Sequence, residues 1–375
     1  MHSIYIHIPF CIKKCFYCDF LSFAGKQALY ANYTDALILE LQKKAPLFQG
    51  ECLKTIFFGG GTPTILPIPL LQNIMNAIFK YYTVSPHAEI TIEANPGTLS
   101  PPVLKALYQM GFQRLSIGLQ AWQDILLQKL GRVHTLSMFL ENYYHAREVG
   151  FKNINIDIMF SLPEQTQAQW EQTLYEVAAL QPEHISAYSL IIEEGTPFFE
   201  LFQKNKLILP EEEQDRKMYY MTKEILATHG YHPYEISNFS KKDYECRHNK
   251  VYWQTKHYLG FGLGAHSYYQ NKRFHNPYDI KKYIASKGKI LAEDVENLTM
   301  TELQSEFMFM GLRMTEGVSA TTFKKRFGVS LQSVYGKQIE ILLKQNLLQQ
   351  KQDHYFLTEQ GIDLSNTVFC YFLKD

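Results

Sequence analysis

Neither sign of charge prevails in this 375-residue chain: 37 Lys and Arg stand against 37 Asp and Glu. A protein built to grip polyphosphate backbones carries a basic excess, so nucleic acid is not expected as a partner. No apolar run approaches the roughly 18 residues that cross a bilayer, and the start, Met1-His2-Ser3-Ile4-Tyr5, lacks the charged region of a secretory signal. These absences predict a cytoplasmic protein. Cysteine is scarce as well. Cys11, Cys15, Cys18, Cys52, Cys246 and Cys370 are too few and too uneven for a disulfide framework. What remains, 46% hydrophobic and 20% charged residues, is a globular composition far from that of disordered chains.

The chain before residue 240 alternates strand and helix patterns. Ser3–Ile8 reads as a strand before the amphipathic helix Asn32–Lys44, and Lys54–Phe58 precedes Leu70–Tyr81. Glu89–Glu93 precedes Pro101–Met110, and Arg114–Gly118 precedes a helical stretch from Gln123 to Gly150. Asn153–Met159 is followed by Gln167–Leu180, and His184–Leu190 by Glu211–His229. Six such pairs predict an α/β fold, an incomplete (β/α)6 barrel over residues 1–235, with working groups at the carboxyl ends of its strands. Residues 236–298 read as a connecting region, within which Tyr244–Tyr269, dense in His, Tyr, Trp and Gly without a clear period, reads as a functional loop region. Residues 299–375 offer three helices and a strand-turn-strand at Leu347–Leu357, a mainly helical, winged-helix-like domain. Without a basic excess, that domain reads as a lid or packing module rather than a DNA reader.

Three of the six cysteines fall in Cys11-Ile-Lys-Lys-Cys15-Phe-Tyr-Cys18, directly after the first strand. Three thiolates at these spacings can each hold one corner of an iron–sulfur cube and leave the fourth iron open. Zinc, the competing metal, would want a fourth ligand such as His7. Phe57-Phe58-Gly59-Gly60-Gly61-Thr62 follows the second strand, where successive glycines let backbone groups approach a ligand; the Gly-Lys-Ser/Thr ending of a phosphate loop is missing. Glu93 and Gln120 end the third and fourth strands and suit an ammonium or ribose hydroxyls. Asp157 is acidic within an apolar run, and either a ligand or a structural partner satisfies it. Arg132 is a fork-shaped donor for a carboxylate.

C-x3-C-x2-C with Tyr17 before the last cysteine resembles the radical S-adenosylmethionine (SAM) superfamily, and implies a [4Fe–4S] cluster on Cys11, Cys15 and Cys18 with SAM on the open iron. The order of motifs from Tyr5 to about Ser267 is similar to the anaerobic coproporphyrinogen III dehydrogenase branch, with a looser C-terminal likeness. By that resemblance Tyr5, Tyr17, Gly60, Gly61, Thr62, Glu93, Gln120, Arg132 and Asp157 form the SAM pocket. Ser161-Leu-Pro stands where the branch commonly has Gly-Leu-Pro.

Two classes share this core. The dehydrogenases resemble this chain but carry another cysteine two residues after the third, where Phe20 stands here, and a longer segment before the first strand. Cys246-Arg-His248-Asn249-Lys-Val-Tyr252-Trp253 looks like the H-N-x-x-Y-W signature of the heme chaperones in this superfamily. Imidazole is a common axial ligand of heme iron, and Tyr252 and Trp253 offer flat faces. The resemblance therefore implies heme as a further cofactor, His248 as its leading ligand with Cys246 and His266 behind it, and recipient hemoproteins as partners. It is compatible with a homodimer and with peripheral contact to membrane-bound recipients.

Overall fold

The computed structural model describes residues 2–289 and 292–373. Six parallel strands, β1 (His2–Ile8), β2 (Cys52–Gly60), β3 (Thr83–Ala94), β4 (Arg114–Gln120), β5 (Asn153–Phe160) and β6 (His184–Ser189), lie side by side in chain order. Helices cover their outer face, among them α1 (Tyr30–Lys44), α2 (Ile68–Tyr81), α3 (Pro101–Gln109), α4 (Leu136–Val149), α5 (Gln167–Ala179) and α6 (Glu212–Thr228). This is the open α/β barrel that the alternation predicts.

The period of two within each strand divides the sheet into two chemistries. Ile4, Ile6, Ile56, Phe58, Ile90, Ile92, Leu115, Ile117, Ile154, Ile156 and Ile185 are buried against the helices in one core. The alternate positions Phe57, Glu93, Ser116, Gly118, Asn155, Asp157, Ser186 and Tyr188 line a cavity on the inner face. Strand register brings the inward groups together: Glu93 lies beside Ser116, Ser116 beside Asn155, Gly118 beside Asp157, and Asp157 beside Ser186.

Two expectations need correcting. The helical stretch 123–150 is two helices, Asp124–Lys129 and α4, because Gly131 takes a left-handed φ of 74° between them. That break delivers Arg132 to the mouth of the barrel. Tyr244–Tyr269 and the residues after it also hold regular elements rather than a loop. They contain α7 (Arg247–Trp253) and the strands β7 (Tyr258–Phe261), β8 (His266–Tyr269), β9 (Lys272–His275) and β10 (Glu293–Asn297). β7 pairs parallel with β1, and β8, β9 and β10 continue antiparallel from it. A four-residue strand is too short to show a period, which is why sequence patterning passed over it.

The C-terminal part has helices Met300–Gly311, Ala320–Phe327 and Leu331–Lys344 around a small sheet whose hairpin is Leu348–Lys351 and His354–Leu357. Phe323, Tyr335, Ile339 and Leu342 form a separate core there. Arg326 ties it to the barrel by donating to the Thr255 carbonyl at 3.0 Å and the Tyr268 hydroxyl at 3.3 Å.

Candidate functional site

The carboxyl ends of β1 to β6 open onto a cavity of about 470 Å³. Cys11, Cys15 and Cys18 stand on its rim with Lys13, Lys14, Tyr17 and Phe20, and Arg132 and Gln120 face them from the β4 side. Among the described residues no three His, Cys, Asp or Glu side chains converge as a single metal ion would require. Separated thiols suit instead a group that offers each its own iron.

A hydrogen-bonded chain joins two of the cysteines. The Thr62 hydroxyl contacts Cys11 Sγ at 3.6 Å and accepts from Asn95 Nδ2 at 2.7 Å. Asn95 Oδ1 accepts from Arg132 Nη2 at 2.5 Å, while Arg132 Nη1 points at Cys15 Sγ at 3.5 Å. Arg132 Nη2 also donates to the Gly118 carbonyl at 2.7 Å. The guanidinium thus sets a fixed positive charge beside a thiol whose metal-binding form is the thiolate. At Cys18, burial pushes the thiol up to about 11, eased by a backbone hydrogen bond at Phe20. Metal binding there must drive off a proton. Asn95, which links the chain, escaped sequence reading because its role depends on β3 and the Arg132 turn meeting in space.

Beneath the rim the cavity wall is polar. Glu93 accepts from the Gly60 N–H at 3.1 Å. Burial and, after it, the charge of Asp157 push the Glu93 carboxyl up to about 8. Asp157 is also raised by burial, but accepts from Asn155 at 2.8 Å and Ser116 at 3.2 Å. Asn155 in turn accepts from His184 at 2.5 Å and Ser186 at 3.1 Å. Gln120, at φ 74° beside a register shift in β4, carries a buried Oε1 with no hydrogen-bond partner among the described residues. An orphaned acceptor, a cradled carboxyl and a fixed guanidinium facing one cavity fit a zwitterionic ligand with hydroxyls.

The residues expected to bind SAM do not all share this cavity. Tyr17, Gly60, Gly61, Glu93, Gln120, Arg132 and Asp157 line it. Thr62 lies in an adjoining cleft with Cys15, Asn95 and Arg132, its hydroxyl already spoken for by Asn95. Tyr5 lines a second cavity of about 550 Å³ next door, with His7, Phe20, Tyr252, Tyr258, His266 and Tyr278. Gly61 needs its missing side chain: a Cβ there would meet the Phe10 carbonyl oxygen at 2.5 Å.

His248, the leading heme-ligand candidate of the sequence, is buried. The ring is 1% exposed and stacked on Phe57 at 5.1 Å between centroids. Nδ1 pairs with the Thr55 hydroxyl at 2.8 Å and Nε2 with the Tyr252 hydroxyl at 2.9 Å. Burial, reinforced by Arg114, lowers its pKa to about 3, so the ring is neutral and both nitrogens are occupied. As placed, His248 positions Tyr252 on the second cavity. Cys246 is buried and contacts Glu89 at 3.7 Å, while Trp253 sits under the Arg313 guanidinium at 4.6 Å.

The raised Glu93 pKa has a measurable consequence. Between its ordinary value of 4.5 and about 8, the folded chain keeps a proton that the unfolded chain has lost. The stability this supplies is complete below 4.5 and is lost as pH rises through 8. Glu93→Gln, neutral throughout, is expected to flatten that decline between about pH 5 and pH 8 in urea titrations of the metal-free chain. Equal declines in both proteins would contradict the assignment.

The barrel, its polar inner face and the cysteine rim define the class: this is a radical SAM fold. Residues 5–176 match the radical SAM superfamily and residues 298–364 the HemN C-terminal domain. Coproporphyrinogen III oxidase (HemN) from Escherichia coli, described as a radical SAM enzyme, superposes with a TM-score of 0.86 over 99% of this chain and 89% of its own, at 24% identity. Curated proteins named heme chaperone HemW match along the full length: 41% identity in Bacillus subtilis, covering 100% of both chains, and 31% in Escherichia coli, covering 100% of this chain and 98% of that one. The chain belongs to the heme chaperone HemW family.

Proposed function

We propose that this protein is a cytoplasmic heme chaperone that holds a [4Fe–4S] cluster on Cys11, Cys15 and Cys18, binds SAM in the cavity below, and passes heme to hemoproteins such as respiratory enzymes. The observation that carries the reading is the end-to-end match to curated heme chaperones, which spans both the cysteine rim and the α7 motif. A cluster with one open iron would supply one-electron chemistry to a bound sulfonium. This chain's part is to hold and orient the ligands. Gly60 and Glu93 offer a backbone donor and a carboxyl to an amino group, Arg132 a guanidinium to a carboxylate, and Gln120 and Asp157 acceptors to hydroxyls. Exposed Phe20 stands on the rim as an apolar face where the dehydrogenases resembled by this sequence carry a thiol.

The deciding experiment is anaerobic reconstitution of cluster and heme, followed by incubation with a heme-free recipient. Heme absorbance should move to the recipient, and coproporphyrinogen with SAM and a reductant should yield no protoporphyrinogen. Abundant protoporphyrinogen without stable heme binding would overturn the chaperone reading. No helix among the described residues is long and apolar enough to cross a membrane.

A further inference from the structure

The second cavity has a chemistry unlike the first. Lys13, Lys14, Arg114 and Arg132 line the cavity under the cysteines, as an anionic or zwitterionic ligand requires. Among the described residues no Lys or Arg lines the second one; its wall carries the rings of Tyr5, Phe20, Tyr252, Tyr258 and Tyr278, with Asp19 and Glu93 as its acidic groups. The two cavities share Phe20, Gly60 and Glu93, so a ligand in the second borders the cluster rim. A volume of about 550 Å³ is within the usual range for a cofactor site. Gly264 closes the floor: at φ 62°, a Cβ there would meet Leu21 at 2.5 Å and the Tyr278 ring at 2.9 Å.

Two histidines line this cavity, and they differ in what their nitrogens do. His7 is buried and engaged on both sides, by the Tyr5 hydroxyl at 3.1 Å and the Leu21 carbonyl at 2.9 Å. His266 is exposed, and its Nε2 meets only the Tyr278 hydroxyl, at 3.0 Å. Among the described residues Nδ1 of His266 has no hydrogen-bond partner. The Tyr278 hydroxyl is an exchangeable partner: both rings face the opening, and Tyr278 also rests on His275 at 4.4 Å between centroids. Burial and the neighbouring His275 and Arg273 lower the His266 pKa, keeping the ring in the neutral form that binds iron.

We infer that the aromatic cavity between β1 and β8 is the heme subsite, with the porphyrin plane against Phe20 and the tyrosines and His266 Nε2 as axial ligand in place of the Tyr278 hydroxyl. This deepens the chaperone reading and rests on it. The buried His248 then acts as a positioning residue, holding Tyr252 in the wall through the 2.9 Å hydrogen bond. An open cavity edge leaves the heme propionates in water, consistent with a wall that provides no cation.

The test is hemin titration of the full-length reconstituted chain, followed by absorbance and electron paramagnetic resonance. His266→Ala should lose the histidine-ligated spectrum and bind hemin at least tenfold more weakly, with cluster content unchanged. Tyr278→Phe removes the competing hydroxyl and should bind hemin roughly two- to tenfold more tightly, the scale of one released hydrogen bond. A site on which His266 served only structure would not give these opposite signs. His354→Ala, on a C-terminal strand, is the control and should match wild type. No hemin bound by the wild-type chain would overturn both this inference and the chaperone reading. A histidine-ligated spectrum retained in His266→Ala, or lost in His248→Ala alone, would overturn the subsite and leave the chaperone reading standing.

Discussion

Cys15→Ala is expected to leave the chain almost free of iron after reconstitution, while Cys52→Ala and Cys370→Ala retain the wild-type amount. The contrast follows from where the thiols stand. Cys52 begins β2, a strand's length from the end that meets the rim, Cys246 is buried against Glu89, and Cys370 lies on a short C-terminal helix. None can replace a lost rim cysteine. Cys15 is also the thiol that the Arg132 guanidinium faces, at the end of the chain through Asn95 and Thr62 to Cys11. Its removal costs a metal bond and the arginine's sulfur partner together, and metal–thiolate binding is worth far more than any neighbouring hydrogen bond. Iron and sulfide content with the visible cluster absorbance checks the result. Full iron retention in Cys15→Ala would refute the three-thiolate rim.

That rim was legible because three cysteines within eight residues need a chemical reason. The same logic exposed Glu93, Gln120 and Asp157, each a polar residue at the end of, or within, an apolar strand pattern. Their partners were harder to see. Asn155, His184 and Ser186 join the Asp157 network only because β5 and β6 pair in a register that sets Asn155 beside His184 and Asp157 beside Ser186. No spacing within one segment encodes a neighbour that arrives from another. The α7 motif shows the converse problem: an imidazole beside Tyr and Trp reads as a heme ligand, yet the same residues satisfy one another when packed between sheet and C-terminal domain. Residue chemistry cannot say which way a ring faces. The pairing of β7 with β1, residues some 250 positions apart, was equally hidden, and it is what builds the second cavity.

The joint that holds β7 in place carries the largest stability effect expected from a single substitution. Lys44, at the end of α1, is 1% exposed, with Nζ 2.5 Å from the Glu40 carboxylate, 3.2 Å from Asn276 Oδ1 and 3.3 Å from the Gly260 carbonyl. Glu40 also accepts from the Gly262 N–H at 3.0 Å, Asn276 Nδ2 at 2.7 Å and the Tyr283 hydroxyl at 2.7 Å. Helix α1 is thereby bolted to β7, the turn after it and the segment beyond β9. Lysine in a sequence helix reads as a solvated residue, so nothing in the pattern marks it. Lys44→Met keeps most of the side-chain volume and removes the charge, stranding a buried carboxylate. Breaking one side of such a pair typically costs about 3–5 kcal/mol, a large share of the roughly 5–15 kcal/mol that stabilises a folded domain. The three remaining donors to Glu40 favour the lower end of that range. Lys44→Met/Glu40→Gln, which removes both charges, should recover part of the loss. Urea unfolding of the metal-free proteins measures both, and because β7 walls the second cavity, Lys44→Met should also weaken hemin binding. A single-variant loss below about 1 kcal/mol would show that the pair is solvated in the folded chain and that α1 is held to β7 by its apolar contacts alone.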